Sequence, residues 1–155
     1  MKTVKLIISI LCPLIAGGLS GFLTAGEINT WYATLERPSF SPPNMVFGPV
    51  WTILYLVMGI SLYRIWTHQP STDRTRALVL FNAQLVLNFF WSLIFFRWHL
   101  ISIALLEIVV LWITIILMIR AFRKVDKWAA YMNLPYLMWV SFATALNAEF
   151  FRLNG

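Results

Sequence analysis

One cysteine, two histidines and six acidic residues are all that the 155 positions hold of those types. A single thiol, Cys12, forms no internal disulfide, so nothing about the redox compartment can be read from it. The same scarcity leaves too few ligands for a protein-held metal site. Charge is thin throughout, with Asp, Glu, Lys and Arg making up 12% of the chain. A soluble surface carries roughly 25–35% of such residues. An ordinary water-soluble domain is therefore excluded, and the length leaves room for one domain, residues 1–155.

What is present is apolar. Hydrophobic types reach 60% of the chain, against roughly 45–50% in globular proteins. They gather into five runs, each near the roughly 20 residues that cross a bilayer as a helix. The runs are residues 6–25, 38–63, 77–96, 98–119 and 128–148, and in the second the helix is expected to begin near Asn44, after Pro42 and Pro43. Their apolar residues are continuous and do not alternate with period two, which selects helices over barrel strands. The fold class expected is an all-α membrane protein: a five-transmembrane-helix bundle with a long ordered loop between helices 1 and 2. The first run follows Lys2 and Lys5 as a signal peptide would, but its length and the lack of a small-x-small site before Gly26 make it a retained helix.

The net charge of +6 resides almost wholly between the runs, so it does not call for nucleic acid as partner. Nine basic residues (Lys2, Lys5, Arg64, Arg74, Arg76, Arg120, Arg123, Lys124, Lys127) fall on one side of a five-span chain and three (Arg37, Arg97, Arg152) on the other. The positive-inside rule then places the amino terminus in the cytoplasm. Trp66, Trp98 and Trp128 stand at run ends, where indoles anchor helices at the interface. Trp51, Trp91, Trp112 and Trp139 lie well inside and need another role.

The connection 26–43, GEINTWYATLERPSFSPP, is long for a compact domain. Trp31, Tyr32, Leu35 and Phe40 are costly to leave in water, and Pro38, Pro42 and Pro43 stiffen the backbone. An ordered cap over the non-cytoplasmic helix ends is expected from Trp31, Tyr32, Pro38, Phe40, Pro42 and Pro43.

Polar side chains inside apolar runs turn toward the bundle interior. Gln84, Asn88 and Ser92 recur at helical spacing, with Trp91 and Phe95 on the same side. Trp139, Ala143 and Asn147 form an i, i+4, i+8 stripe, and Phe47, Trp51, Tyr55 and Met58 another. Three faces mixing aromatic surface with a few hydrogen-bonding groups suit a pocket for a flat, mostly apolar ligand. The same residues also suit plain interhelical hydrogen bonding, and the pattern alone leaves both readings open. Glu107 is the lone carboxyl in mid-run: either a proton-linked or ligand-facing group, or, as expected here, a neutral acid bonded to another helix. Gly17 and Gly21 form a G-x-x-x-G pair that lets helices approach, with packing inside the monomer expected over a dimer contact. No phosphate loop or nucleophile–base pair appears. His68 and His99 flank the third run and fall on opposite faces, so no catalytic residue and no metal site is assigned.

Four blocks carry a resemblance over nearly the whole chain: W-Y-x-x-L-x-R-P-S-F-x-P-P from Trp31, P-V-W-T-x-L-Y-x-x-M-G from Pro49, Q-L-x-L-N-x-x-W-S-x-x-F-F from Gln84, and L-P-Y-L-x-W-x-x-F-A-T-x-L-N from Leu134. In this order the chain resembles the tryptophan-rich sensory protein / translocator protein (TspO/MBR) family. The resemblance implies a five-helix bundle whose first loop closes one end of a pocket, with Trp51, Asn88, Trp91, Trp139 and Ala143 at the family's pocket positions. The stripes above add Tyr55, Phe95 and Asn147. It also implies tetrapyrrole ligands such as protoporphyrin IX or haem, with no obligatory cofactor, and in some members sterols and synthetic aromatic ligands. Members are often dimers. The alternatives are light- and oxygen-dependent porphyrin degradation, suggested by the family and by no catalytic group here, and a partner-binding membrane regulator. Phe40 stands where the family usually has tryptophan. Residues 146–152, LNAEFFR, lack the tyrosine of a sterol-recognition pattern, a weak pattern even when complete, so high sterol affinity is not expected.

Overall fold

Uninterrupted apolar sequence lets the chain satisfy its backbone only by local helix, and helix is what forms. The computed structural model describes residues 1–155 and contains no strand. Its helices are α1 (Lys2–Ile28), α2 (Trp31–Thr34), α3 (Asn44–Trp66), α4 (Thr72–Ser92), α5 (Ile101–Val125), α6 (Lys127–Tyr131) and α7 (Leu134–Asn154), with a π-helical segment, Leu93–Arg97, continuing α4. Four stretches are long and apolar enough to cross a membrane: α1, α3, α4 with its π-helical extension, and α5. The protein is an integral membrane protein.

The fifth long helix differs from expectation. The run 128–148 is not one rod: α6 ends at Tyr131, and α7 starts at Leu134 and continues beyond Ala148 to Asn154. Pro135 sits in the first turn of α7, where its missing N–H costs nothing, and it disfavours helix in the residue before it. Asp126 caps α6 by accepting from the N–H groups of Trp128 (2.9 Å) and Ala129 (3.2 Å). Its carboxyl also meets Arg64 at 2.8 Å. Burial pushes the Asp126 carboxyl up, but the Ala129 N–H, His68, the Trp128 N–H and the Arg64 charge together hold it below the usual carboxylate range. α7 carries Ser141, Thr144, Asn147, Glu149 and Arg152 along its length, which makes it the least apolar of the long helices that follow α4.

Packing is densest between α4 and α5, α1 and α3, and α5 and α7. The buried core runs through Met58, Ile65, Phe81, Ile115, Met118, Phe122 and Tyr136. Gly59 permits the α1–α3 contact, since a Cβ there would lie 2.6 Å from the Ile10 Cα and 2.8 Å from the Ser9 carbonyl oxygen. Ile15, Phe22, Leu106 and Met138 point outward and stay exposed, the arrangement a lipid solvent favours. Trp98 and Trp128 are exposed as interfacial residues would be, and Lys5 holds its ammonium over the Trp66 ring. Trp112 also lies at the surface and donates its indole N–H to Ser141 at 2.8 Å, tying α5 to α7.

The connection after α1 is shorter than the expected 26–43. α1 continues through Ile28, one helical turn forms at Trp31–Thr34, and residues 35–43 run on to α3. The Glu107 expectation is corrected: both carboxyl oxygens are buried, neither has a hydrogen-bond partner, and no bond to another helix forms.

Candidate functional site

Small side chains on α1 and large rings on α3, α4 and α7 cannot close against one another, and a cavity of about 490 Å³ remains between them. That volume lies within the 300–1,000 Å³ range of small-molecule sites. All eight side chains expected at a ligand line it: Trp51 and Tyr55 from α3, Asn88 and Trp91 from α4, Phe95 from the π-helical segment, and Trp139, Ala143 and Asn147 from α7. Phe47 and Ser92 line it too, whereas Met58 and Gln84 lie behind the wall in the core. Glu107 is not among the lining residues, so it faces no ligand there.

The aromatic wall is angular. Trp51 stacks on Tyr55 at 5.5 Å and 24°, and meets Trp139 edge-on at 6.4 Å and 88°. Phe47 closes on Trp139 at 5.8 Å, and Trp91 lies 5.7 Å from Phe95. Rings held at these angles present both faces and edges to the space between them.

Behind the wall a chain of hydrogen bonds fixes the polar groups. The Tyr55 hydroxyl donates to Asn88 Oδ1 (2.6 Å), Asn88 Nδ2 donates to the Tyr136 hydroxyl (2.9 Å), and Tyr136 donates to Gln84 Oε1 (2.7 Å). Trp91 donates to Asn147 Oδ1 (3.1 Å), and Asn147 Nδ2 to the Ile101 carbonyl (3.0 Å). These bonds join the helices, and Tyr55, Asn88, Trp91 and Asn147 among them also line the cavity. One buried donor, the indole N–H of Trp139, has no partner in the protein.

The contribution of α1 is what the residue pattern missed. Gly17, Gly18, Ser20, Gly21 and Thr24 line the cavity. A Cβ at Gly17 would overlap the Tyr55 ring, while at Gly21 it would meet nothing within 4 Å. The G-x-x-x-G pair is therefore divided in role: Gly17 seats an aromatic ring of the same chain, and Gly21 leaves space. The signal was available in the G-x-x-S-G-x-x-T spacing, which puts glycine and hydroxyl residues on one face.

Over one end lies the segment expected as a cap. Tyr32 lines the cavity and is buried against Phe96 (5.3 Å) and Phe150 (5.4 Å). Trp31 stacks on His99 at 4.1 Å and 14°. His99 bonds Glu27 at 3.0 Å, and Arg97 donates to the same carboxylate at 3.1 Å. Farther along, Asn154 accepts from the Glu36 N–H (2.9 Å) and donates to the Glu36 carbonyl (3.0 Å). Pro38 is buried, Phe40 meets Phe142 edge-on at 6.2 Å, and Pro42 and Pro43 lead into α3. Of the six cap residues only Tyr32 touches the cavity.

The profile of the TspO/MBR family matches residues 9–153. The chain belongs to the TspO/MBR family. It is 43% identical over 154 residues to the tryptophan-rich protein TspO of Archaeoglobus fulgidus, covering 99% of each chain. It is 36% identical over 124 residues to the tryptophan-rich sensory protein of Cereibacter sphaeroides, covering 80% of this chain and 77% of that one. With the human translocator protein it shares 37% over 131 residues, 83% of this chain and 78% of the other. The family assignment and the apolar helices together make it a membrane protein of the sensory and translocator type.

Proposed function

We propose that this protein binds a flat, largely apolar ligand of the tetrapyrrole class, such as protoporphyrin IX or haem, inside the cavity, as a five-span bundle with its amino terminus in the cytoplasm. The observation that carries the reading is the wall itself: Trp51, Trp91 and Trp139 reach one space from three helices. A macrocycle offers two broad π-faces, and each aromatic contact contributes about 0.5–1.5 kcal/mol beyond burial. The segment 31–43 acts as a lid over the bound ligand. Binding serves sensing or translocation, in keeping with the names of the relatives.

The test is a protoporphyrin IX titration of the detergent-solubilised protein, followed by tryptophan quenching. Trp51→Ala or Trp139→Ala should weaken binding at least tenfold, which is about 1.4 kcal/mol. Trp66→Ala removes an indole outside the cavity and should leave affinity unchanged. Equal losses in all three variants would place the ligand on the lipid-facing surface and sink the proposal.

A further inference from the structure

The cavity holds no cation of its own. No Lys, Arg or His lines it. The hydroxyls of Ser20, Thr24 and Thr52 donate to carbonyls of their own helices. Tyr55 and Trp91 have likewise committed their hydrogens to partners in the wall. Among the buried donors of the wall the Trp139 indole N–H alone is left without a partner. A carboxylate brought inside would lose its water and meet no cation, so an anionic group is disfavoured there.

The rim differs. Three arginines lie at this end of the bundle: Arg37 in the connection before α3, Arg97 at the end of the π-helical segment and Arg152 in the last turn of α7. Arg97 is paired with Glu27 and Arg152 with Glu149, but Arg37 forms no ion pair. Its guanidinium sits over the Tyr32 ring, 4.8 Å from the centroid, and donates through Nη2 to Asn44 Oδ1. Tyr32 and Asn44 both line the cavity. The guanidinium is thus held at the edge of the space by two of its lining residues, while its remaining N–H groups make no bond within the protein.

We propose that Arg37 reads the anionic edge of the ligand: it takes a carboxylate at the rim and so orients the ligand with its acidic side outward and its apolar side toward Tyr55 and Asn88. This rests on the tetrapyrrole reading above, because a dicarboxylic macrocycle is the ligand that needs one acidic edge placed. Arginine suits the task, since its planar fork matches both oxygens of a carboxylate. Tyr32 and Asn44 fix that fork beforehand, which lowers the ordering cost on binding.

Protoporphyrin IX and its dimethyl ester share the macrocycle and differ in the two carboxylates. Both are titrated against wild type, Arg37→Gln and Arg37→Lys in detergent. Wild type should prefer the diacid about tenfold, and the preference should shrink as salt rises. Arg37→Gln should lose the preference by weakening the diacid alone, with retained ester binding as proof of an intact fold. Arg37→Lys should keep part of it. Equal losses for both porphyrins in Arg37→Gln, a preference that survives that substitution, or no preference in wild type each overturns the Arg37 assignment and leaves the tetrapyrrole reading standing. If wild type binds neither porphyrin, both fall.

Discussion

Glu107 is the residue whose structure departs most from what its chemistry asks. Its two carboxyl oxygens are buried without a partner, on the membrane-spanning helix α5. An unsatisfied buried polar group costs about 1–3 kcal/mol, and an apolar residue of similar length carries no such cost. Glu107→Leu should therefore raise the melting temperature in detergent without changing ligand affinity, because the residue lies outside the cavity. A lower melting temperature would mean that the carboxyl holds a stabilising partner after all. The cavity tryptophans follow the opposite logic. Trp51 and Trp139 line the cavity, so on the proposed function their loss is measured in affinity, and the contrast with Trp66 separates pocket from interface.

At the scale of elements, the connection 35–43 is tied down at separate points. Asn154 grips both backbone groups of Glu36, and the Trp31–His99 stack anchors the helical turn before it. Pro42 adds stiffness within the segment itself. Pro42→Gly gives the backbone freedom that proline denies it, so it should speed ligand release several-fold while leaving the helical circular dichroism intact. Asn154→Ala, which frees the other tether, should act in the same direction. An unchanged off-rate in both variants, with binding preserved, would show that the segment is not a lid. Much of this organisation was legible beforehand: the apolar runs marked four helices, the start of α3 at Asn44 followed from two prolines, and three polar–aromatic stripes named the side chains that meet at the cavity. The misses have physical causes. The break between α6 and α7 depends on Asp126 capping a short helix and on Asn133 donating to the Ala129 carbonyl (2.9 Å) and to Ser61 (2.9 Å), contacts that hydropathy does not register. The π-helical turn at Leu93–Arg97 continues an apolar run with no change in composition. The lining from α1 consists of glycine and hydroxyl residues whose absence of bulk is their contribution, and a search for recognising groups passes over it.

For the whole molecule, orientation in the membrane follows from charge placed at the ends of helices. In the proposed five-span arrangement nine basic residues gather at one end and three at the other, and loops rich in Lys and Arg stay in the cytoplasm. The three include Arg97, already paired with Glu27, and Arg152, paired with Glu149, while most of the nine have no acidic neighbour to offset them. The proposed orientation puts the connection after α3 inside and the segment 31–43 outside. Gln69 and Ser39 are exposed residues in these two connections, suited to carry a reporter; Ser71 is avoided because it caps α4 by accepting from the Arg74 N–H. In a Cys12→Ser background, which removes the lone native thiol, a cysteine at position 39 should react with a membrane-impermeant maleimide applied to intact cells. A cysteine at position 69 should react only after the membrane is permeabilised. The same proposal puts the carboxy terminus outside, where a protease applied to intact cells should reach an appended tag. Labelling of both cysteines from the same side would show that α3 does not cross, and the five-span arrangement would fall. Labelling with the two sides exchanged would place the segment 31–43 in the cytoplasm and overturn the proposed orientation.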